Sequence, residues 1–439
     1  MIPARIILLA YVTAILIGTL LLHLPFATQG GQQVSFIDTF FTATSAVCIT
    51  GLGTVDIGTT FSTFGQIVIL ILIQFGGLGI MTMTTMLALL MGRKINLRER
   101  LVMQEALNVV SLAGVVRLTK YILIVTFSLE LLGAGLLSIR FIPQLGIAKG
   151  IYYSIFHSIS SFCSAGFDLF GAITGPYSSL TAYAADPLVS LVVAGMIILG
   201  GLGFVVLADV YNHRGFKGIS LHSKLVFVMT GILILAGALL ILGFEYHGAL
   251  AHLGPGGKVL ASLFQSITPR SGGYVTINIV QMQTATGILL IILMFIGASP
   301  GGTGGGIKTT TFATLMLALY SIISGRKEIT VFKRIIPVDQ VLKAMAVTML
   351  SAFLVIIVVI ILSFTERADL LTLSFETVSA FATVGLSHGI TPHLSNIGKF
   401  LIAFTMFAGR LGPLTLAIAL WSNQVNVGYR YPEERIIIG

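Results

Sequence analysis

Four short polar stretches, each opened by a Phe and closed by a single Gly before Leu, Phe or Tyr, are the residues of this chain whose pattern could do chemistry. They run from Phe41 to Gly51-Leu52, Phe156 to Gly166-Phe167, Phe264 to Gly273-Tyr274 and Phe375 to Gly385-Leu386. Ser or Thr follows each Phe by four residues, at Ser45, Ser160, Thr268 and Ser379. The closing glycines lie 115, 107 and 112 residues apart, which marks a fourfold internal repeat. The chemistry open to such segments is that of main-chain oxygens. Ile49-Thr50-Gly51, Ser164-Ala165-Gly166, Ser271-Gly272-Gly273 and Thr383-Val384-Gly385 would present carbonyls to a cation stripped of its water.

The elements that must position these stretches are membrane helices. Apolar residues make up 56% of the 439 and charged residues only 9%, with a mean hydropathy of +1.00, which excludes an ordinary soluble domain. Crossing a bilayer takes ~20 mainly apolar residues per helix. Runs of that kind lie near 5–25, 62–92, 118–142, 186–210, 222–244, 283–322, 340–364 and 396–421, so eight spans are expected, the first of them retained rather than cleaved as a signal peptide. The net charge of +9 is not a nucleic-acid signature, because 17 of the 25 basic residues fall at the termini and in alternate loops. That bias places both termini in the cytoplasm. The opposite loops carry acids such as Asp38, Asp56, Asp168 and Glu376, which would concentrate cations at a pore mouth.

Each stretch lies between two apolar runs and reads as a re-entrant segment. Unpaired amides facing lipid cost several kcal/mol each, so such a segment must line a water-filled cavity or be buried in protein. A half-helix entering from outside points its partly negative C-terminus at the membrane centre and favours a cation. The Gly then permits a turn with positive φ and an extended return. Thr383-Val384-Gly385-Leu386 nearly spells the TVGYG filter of potassium channels. Cys48 and Cys163, the only cysteines, each precede their Gly by three residues and read as small buried side chains rather than a disulfide or a metal site.

A second element recurs downstream: Gly76-Gly77-Leu78-Gly79, Gly200-Gly201-Leu202-Gly203, Gly297-Ala298-Ser299-Pro300 and Gly409-Arg410-Leu411-Gly412. In the first two copies close helix packing is the simpler reading. The third expands into a run with six glycines and a proline between 297 and 306, which no continuous helix survives. Gly297, Pro300, Gly301, Gly302, Gly304, Gly305, Gly306 and Lys308 read as a gate in the sixth apolar run. Gly301 to Thr309 approximates a phosphate-binding GxxxxGK[ST] loop, but Ile307 is an extra residue and no strand precedes it. Arg410 is an intramembrane cation, a functional candidate by default. It is expected to hold loop carbonyls and oppose cation passage, with a buried pair to a carboxylate such as Glu130 as the plainer alternative. Arg270, in the third stretch, reads as structural and pointing behind the pore.

These motifs resemble the Trk/Ktr/HKT superfamily of potassium transporters, and within it the bacterial KtrB-type membrane subunits. The resemblance covers nearly the whole chain, from the glycines at 51, 166, 273 and 385 to the glycine-rich loop and Arg410. It implies an all-α membrane protein of four span, pore-helix, span repeats at 1–92, 93–213, 214–325 and 326–421, with eight transmembrane helices and four re-entrant helices around one central pore and a cytoplasmic tail at 422–439. It also implies potassium uptake, sodium-stimulated in part of the family, by a homodimer controlled by a cytosolic nucleotide-binding ring of the KtrA/KtrC type. Gly51 fits the potassium-selective pattern, where Ser goes with sodium. Potassium is then cargo at the filter carbonyls, and no cofactor is expected in this chain. Residues 96–108 read as an interfacial helix or docking surface, and the tail as a contact for the second subunit or the regulator.

Two competitors are weighed against this. A sodium-coupled secondary active cation transporter with broken helices usually places carboxylates at its site, whereas only Glu130 lies well inside a span here. A membrane enzyme would need a nucleophile with its base or a metal-ligand cluster, and neither pattern is present.

Overall fold

Most of the residues described in the computed structural model, which are 3–31, 33–80, 82, 83, 86, 100–104, 115–213, 215, 217–421 and 434, lie in helices. The proposed docking segment at 96–108 and the tail at 422–439 fall largely outside these residues. In chain order come α1 (Pro3–Leu22), α2 (Phe36–Val47), α3 (Thr63–Leu78), α4 (Val115–Leu145), α5 (Ile147–Phe162), α6 (Pro187–Leu202) and α7 (Phe204–Asn212). There follow α8 (Leu221–Glu245), α9 (Pro255–Ile267), α10 (Thr284–Phe295), α11 (Thr309–Ile323), α12 (Val338–Thr365), α13 (Leu370–Phe381), α14 (Asn396–Leu411) and α15 (Pro413–Trp421). A small hairpin, Thr330–Val331 with Arg334–Ile335, sits in a stretch that reads only as a basic loop in the sequence.

Helix starts are set by caps. Ser35 accepts from the Asp38 amide, Asp186 from Leu188 and Val189, Asp369 from Thr372 and Ser395 from Gly398. Pro at the first turn of α6 and α9 has no N–H and so needs no acceptor of its own. Large apolar side chains such as Leu131, Ile322 and Phe364 stand 75%, 75% and 86% exposed on the perimeter, the surface expected of helices in lipid.

The helices show how the eight expected runs are built. Among the described residues four helices, α1 from Ala4, α4, α8 and α12, are long and apolar enough to cross a membrane alone. The pair α6 and α7 bends by 90°, and the pair α14 and α15 by 93°. The run at 283–322 opens between α10 and α11, and α3 stops at Gly79. Gly79, Gly203 and Gly412 have φ of +82°, +95° and +85°, a conformation from which a right-handed helix cannot continue and which Gly adopts without a Cβ penalty.

The packing reading of the recurrent small element is therefore half of the matter. Its first Gly does pack closely: a Cβ on Gly76, Gly200 or Gly409 would lie 2.2, 2.0 or 1.8 Å from the carbonyl oxygen of Val47, Phe162 or Phe381. Those are the last residues of α2, α5 and α13. Three residues later the chain breaks. Gly409→Ala is expected to cost ~2–3 kcal/mol of stability, seen as a lower thermal midpoint in detergent. Gly195→Ala, where a Cβ meets nothing within 4 Å, serves as the control.

Candidate cation-coordinating site

The short helices α2, α5, α9 and α13 end in one shared geometry. Two residues before each closing Gly the backbone turns left-handed, at Ile49 (φ +53°), Ser164 (+56°), Ser271 (+70°) and Thr383 (+49°). Each Gly is left-handed too, at +86°, +69°, +72° and +96°. The residue between them returns its N–H to the Ser or Thr of the helix: Thr50 to the Ser45 carbonyl at 2.8 Å, Ala165 to Ser160 at 2.8 Å, Gly272 to Thr268 at 2.7 Å and Val384 to Ser379 at 2.9 Å. Tying the amides back leaves the carbonyls of these residues as the groups on offer.

The four recurrent hydroxyls divide into two roles. Ser45 and Ser379 Oγ accept from the Gly51 and Gly385 amides, each at 3.1 Å. Ser160 Oγ and Thr268 Oγ1 donate to the carbonyls of Phe167 and Tyr274, each at 2.7 Å. Either way the hydroxyl holds the extended return against its helix. Fully buried Tyr274 adds a strut, its hydroxyl donating to the Phe167 carbonyl at 3.1 Å.

The four turns meet. A Cβ on Gly51 would lie 2.5 Å from Ala165 O, one on Gly166 3.1 Å from Gly272 O, one on Gly273 2.4 Å from Val384 O and one on Gly385 2.2 Å from Thr50 O. Each glycine thus abuts the next segment, and the fourth closes on the first. Residues 300 or more positions apart in the chain form one ring.

Against one face of the ring lies the glycine-rich loop. Thr303 Oγ1 is 2.9 Å from Ser164 Oγ, and the Gly305 amide donates to Thr383 Oγ1 at 2.9 Å. A Cβ on Gly304 would sit 2.4 Å from Ser271 Oγ. The loop is moored to α6 and α7: Ser299 N–H donates to Gly201 O at 2.9 Å, Thr303 N–H to Gly200 O at 3.1 Å, and Phe204 N–H to Gly301 O at 3.0 Å. Gly297 leaves no room for a side chain, with Gly305 O 2.0 Å from its Cβ position, while Gly301 and Gly306 adopt φ of +70° and +73°. A Cβ on Gly302 would meet Gly201 O at 2.9 Å, and one on Gly203 the Pro300 carbonyl at 2.4 Å.

Arg410 reaches this loop. One guanidinium nitrogen donates to the Thr303 carbonyl and the other to the Gly76 carbonyl, while Lys308 Nζ donates to Gly304 O at 2.5 Å. The alternative pairing of Arg410 with Glu130 is not formed. Glu130 instead accepts from Gln74 Nε2 at 3.0 and 3.2 Å. Cys48 and Cys163 are free and buried, and Arg270 donates to Thr230 Oγ1 on α8 at 3.3 Å. Sequence reasoning passed over Thr303 and Ser299, although each is a hydroxyl among glycines and prolines. Ser299 Oγ lies 2.8 Å from Thr309 Oγ1 and helps shut the loop's neck.

The opposite face carries the acids. Asp38 pairs with Lys399 at 2.7 Å, and Asp56 accepts from the Tyr177 amide at 2.9 Å. Half-buried Asp168 follows Gly166 by two residues, and burial reinforced by the charge of Asp56 pushes its carboxyl up to about 7 from the ordinary 3.8.

Apolar helices packed around a closed ring of backbone turns define the class: a multi-pass helical membrane protein of ion transport. More particularly, the chain belongs to the TrkH family of cation transport proteins, which it matches over residues 8–425. It is 42% identical to the Ktr system potassium uptake protein B of Bacillus subtilis, an alignment covering 100% of this chain and 97% of that one. It is 39% identical to the potassium/sodium uptake protein NtpJ of Enterococcus hirae, with the same coverage. Its fold superposes on the crystal structure of the potassium transporter TrkH from Vibrio parahaemolyticus with a TM-score of 0.71, at 18% identity, over 94% of this chain and 84% of that one.

Proposed function

We propose that this chain is the membrane subunit of a potassium uptake system and that potassium crosses through the ring. The observation that carries the reading is the closed contact of the four glycine turns, which sets one carbonyl from each segment against the glycine of its neighbour, with no backbone hydrogen bond to it among the described residues. Thr50, Ala165, Gly272 and Val384, with the residues beside them, would replace the hydration shell of the ion. The C-termini of α2, α5, α9 and α13 add a partly negative potential. In this reading the four span, pore-helix, span units are the repeats at 1–92, 93–213, 214–325 and 326–421, and the loop from Gly297 to Lys308 with Arg410 is the gate. Relatives named as proteins of a Ktr system support a further protein as partner; in this reading it is a cytosolic nucleotide-binding regulator, the chain pairs with a second copy, and the basic loops put both termini in the cytoplasm. One relative named for potassium and sodium supports a role for sodium. Uptake of potassium, rubidium and sodium in a cell lacking its own uptake systems tests the reading, and potassium uptake no higher than in empty cells ends it.

The breaks at Gly79, Gly203 and Gly412 favour a second reading, a sodium-coupled carrier with broken helices. Against it, Glu130 faces Gln74 rather than the ring. Flux under a potassium gradient without sodium separates the two, since a carrier stalls there.

Gly51→Ser is expected to weaken discrimination between potassium and sodium by about tenfold, ~1.4 kcal/mol, because its Cβ would push on Ala165 O from 2.5 Å. Competition of sodium with rubidium uptake measures it. Asp168 gives a pH dependence. A carboxyl raised to about 7 is neutral below that pH and charged above it, so cation affinity on its face should rise with pH through that value, and Asp168→Asn should flatten the profile. Folding stability runs the other way: the folded state holds its proton more tightly, so stability falls as pH climbs from 3.8 toward about 7.

A further inference from the structure

Arg270 is a buried cation for which the transport reading has no use. It follows the C-terminus of α9 by three residues and is 7% exposed. Among the described residues its guanidinium makes one hydrogen bond, from Nη2 to Thr230 Oγ1 on α8 at 3.3 Å, and its Nε has no partner. Ion pairs among the described residues join Arg140 to Asp186, His213 to Asp209 and Lys399 to Asp38, and none reaches Arg270. The side chain lines a cavity of about 10 Å³ with Thr230, Ile197, Gly201, Ile267 and Ala298.

A guanidinium carries five N–H donors and remains charged in proteins. Buried with one long bond to a neutral hydroxyl, it is strongly destabilising unless its charge and its donors are met. Water would satisfy Nε and leave the charge. A small anion meets both. The cavity has room for about one small species, which favours a monatomic anion over phosphate, sulfate or a carboxylate. Apart from Arg270 its walls are apolar except for the Thr230 hydroxyl, whose oxygen accepts from Arg270 and whose proton is free to point at an anion.

We propose that this cavity is a binding site for a monatomic anion, chloride in the cell, held by the Arg270 guanidinium and the Thr230 hydroxyl. Ser271, a residue of the ring, is the next residue in the chain, so an unneutralised guanidinium here acts electrostatically on a cation at the ring. The bound anion cancels that field. Removing it lowers the affinity of the ring for potassium. This last step rests on the transport reading, whereas the site itself does not.

The test begins with the full-length protein purified in bromide in place of chloride from cell lysis onward, crystallised, and measured at the bromine absorption edge. The expected result is an anomalous peak between Arg270 and Thr230. No peak there overturns the site, whether or not the protein transports potassium. In proteoliposomes, replacing chloride by gluconate on both sides should lower rubidium uptake several-fold for the wild type, less for Thr230→Val, and not at all for Arg270→Gln, which has no charge to cancel. Equal sensitivity to the exchange in wild type and Arg270→Gln overturns the neutralising role.

Discussion

Gly385→Ala is expected to abolish selective potassium uptake while the protein still reaches the membrane folded. At φ +96° an L-residue is strained, and its Cβ would stand 2.2 Å from the Thr50 carbonyl oxygen of the neighbouring segment. Strain of ~1–2 kcal/mol and overpacking of ~1–3 kcal/mol fall on the same few atoms, and the softest response is to displace Thr50 O from the ring. A loss of ~3 kcal/mol in the affinity for the ion corresponds to roughly a hundredfold drop in uptake at limiting potassium. Gly389→Ala separates strain from contact, because Gly389 has a φ of +86° and nothing within 4 Å of its Cβ position. Rubidium uptake and gel filtration in detergent read both variants. If Gly385→Ala transports as well as Gly389→Ala, the ring is not the path.

Shortening residues 299–306 is expected to produce the second large effect, a rise in potassium flux without any regulatory partner. The loop touches three of the four ring segments, through Thr303 with Ser164, Gly304 with Ser271 and Gly305 with Thr383. It therefore covers the inner side of the proposed path. Arg410→Ala should raise flux as well, though less, since it removes the bonds from the guanidinium to Thr303 O and Gly76 O and leaves the loop moored to α6. Charge-assisted hydrogen bonds are worth ~1.5–3 kcal/mol, so an increase on the order of tenfold is expected. It also takes a positive charge away from the loop, where Lys308 holds the Gly304 carbonyl. Unchanged or lower flux in well-folded variants of both kinds removes the gate assignment.

Much of this molecule was legible without coordinates because its largest signals are local. Lipid as solvent forces apolar helices, the interval between glycines reports the repeat, and six glycines in ten residues break a helix wherever they fall. An arginine between apolar residues needs partners, and the partners had to be found by folding. They proved to be carbonyls at positions 107 and 334 residues away in the chain, not the carboxylate of Glu130. The breaks at Gly79 and Gly203 were hidden because GGLG serves equally for close packing and for a left-handed stop.

Ile49 and Thr383 mark the boundary most sharply. Both are β-branched, and local rules place neither at positive φ, yet the structure holds them at +53° and +49°. Such strain persists only where surrounding contacts over-determine it. The sequence by itself determined the membrane class, the fourfold pattern and the residues at issue, since these follow from composition and short-range periodicity. Tertiary structure alone decided that the four turns close on one another, which hydroxyl donates and which accepts, and what Arg410 holds, because each of these depends on groups that meet only when distant segments of the chain pack together.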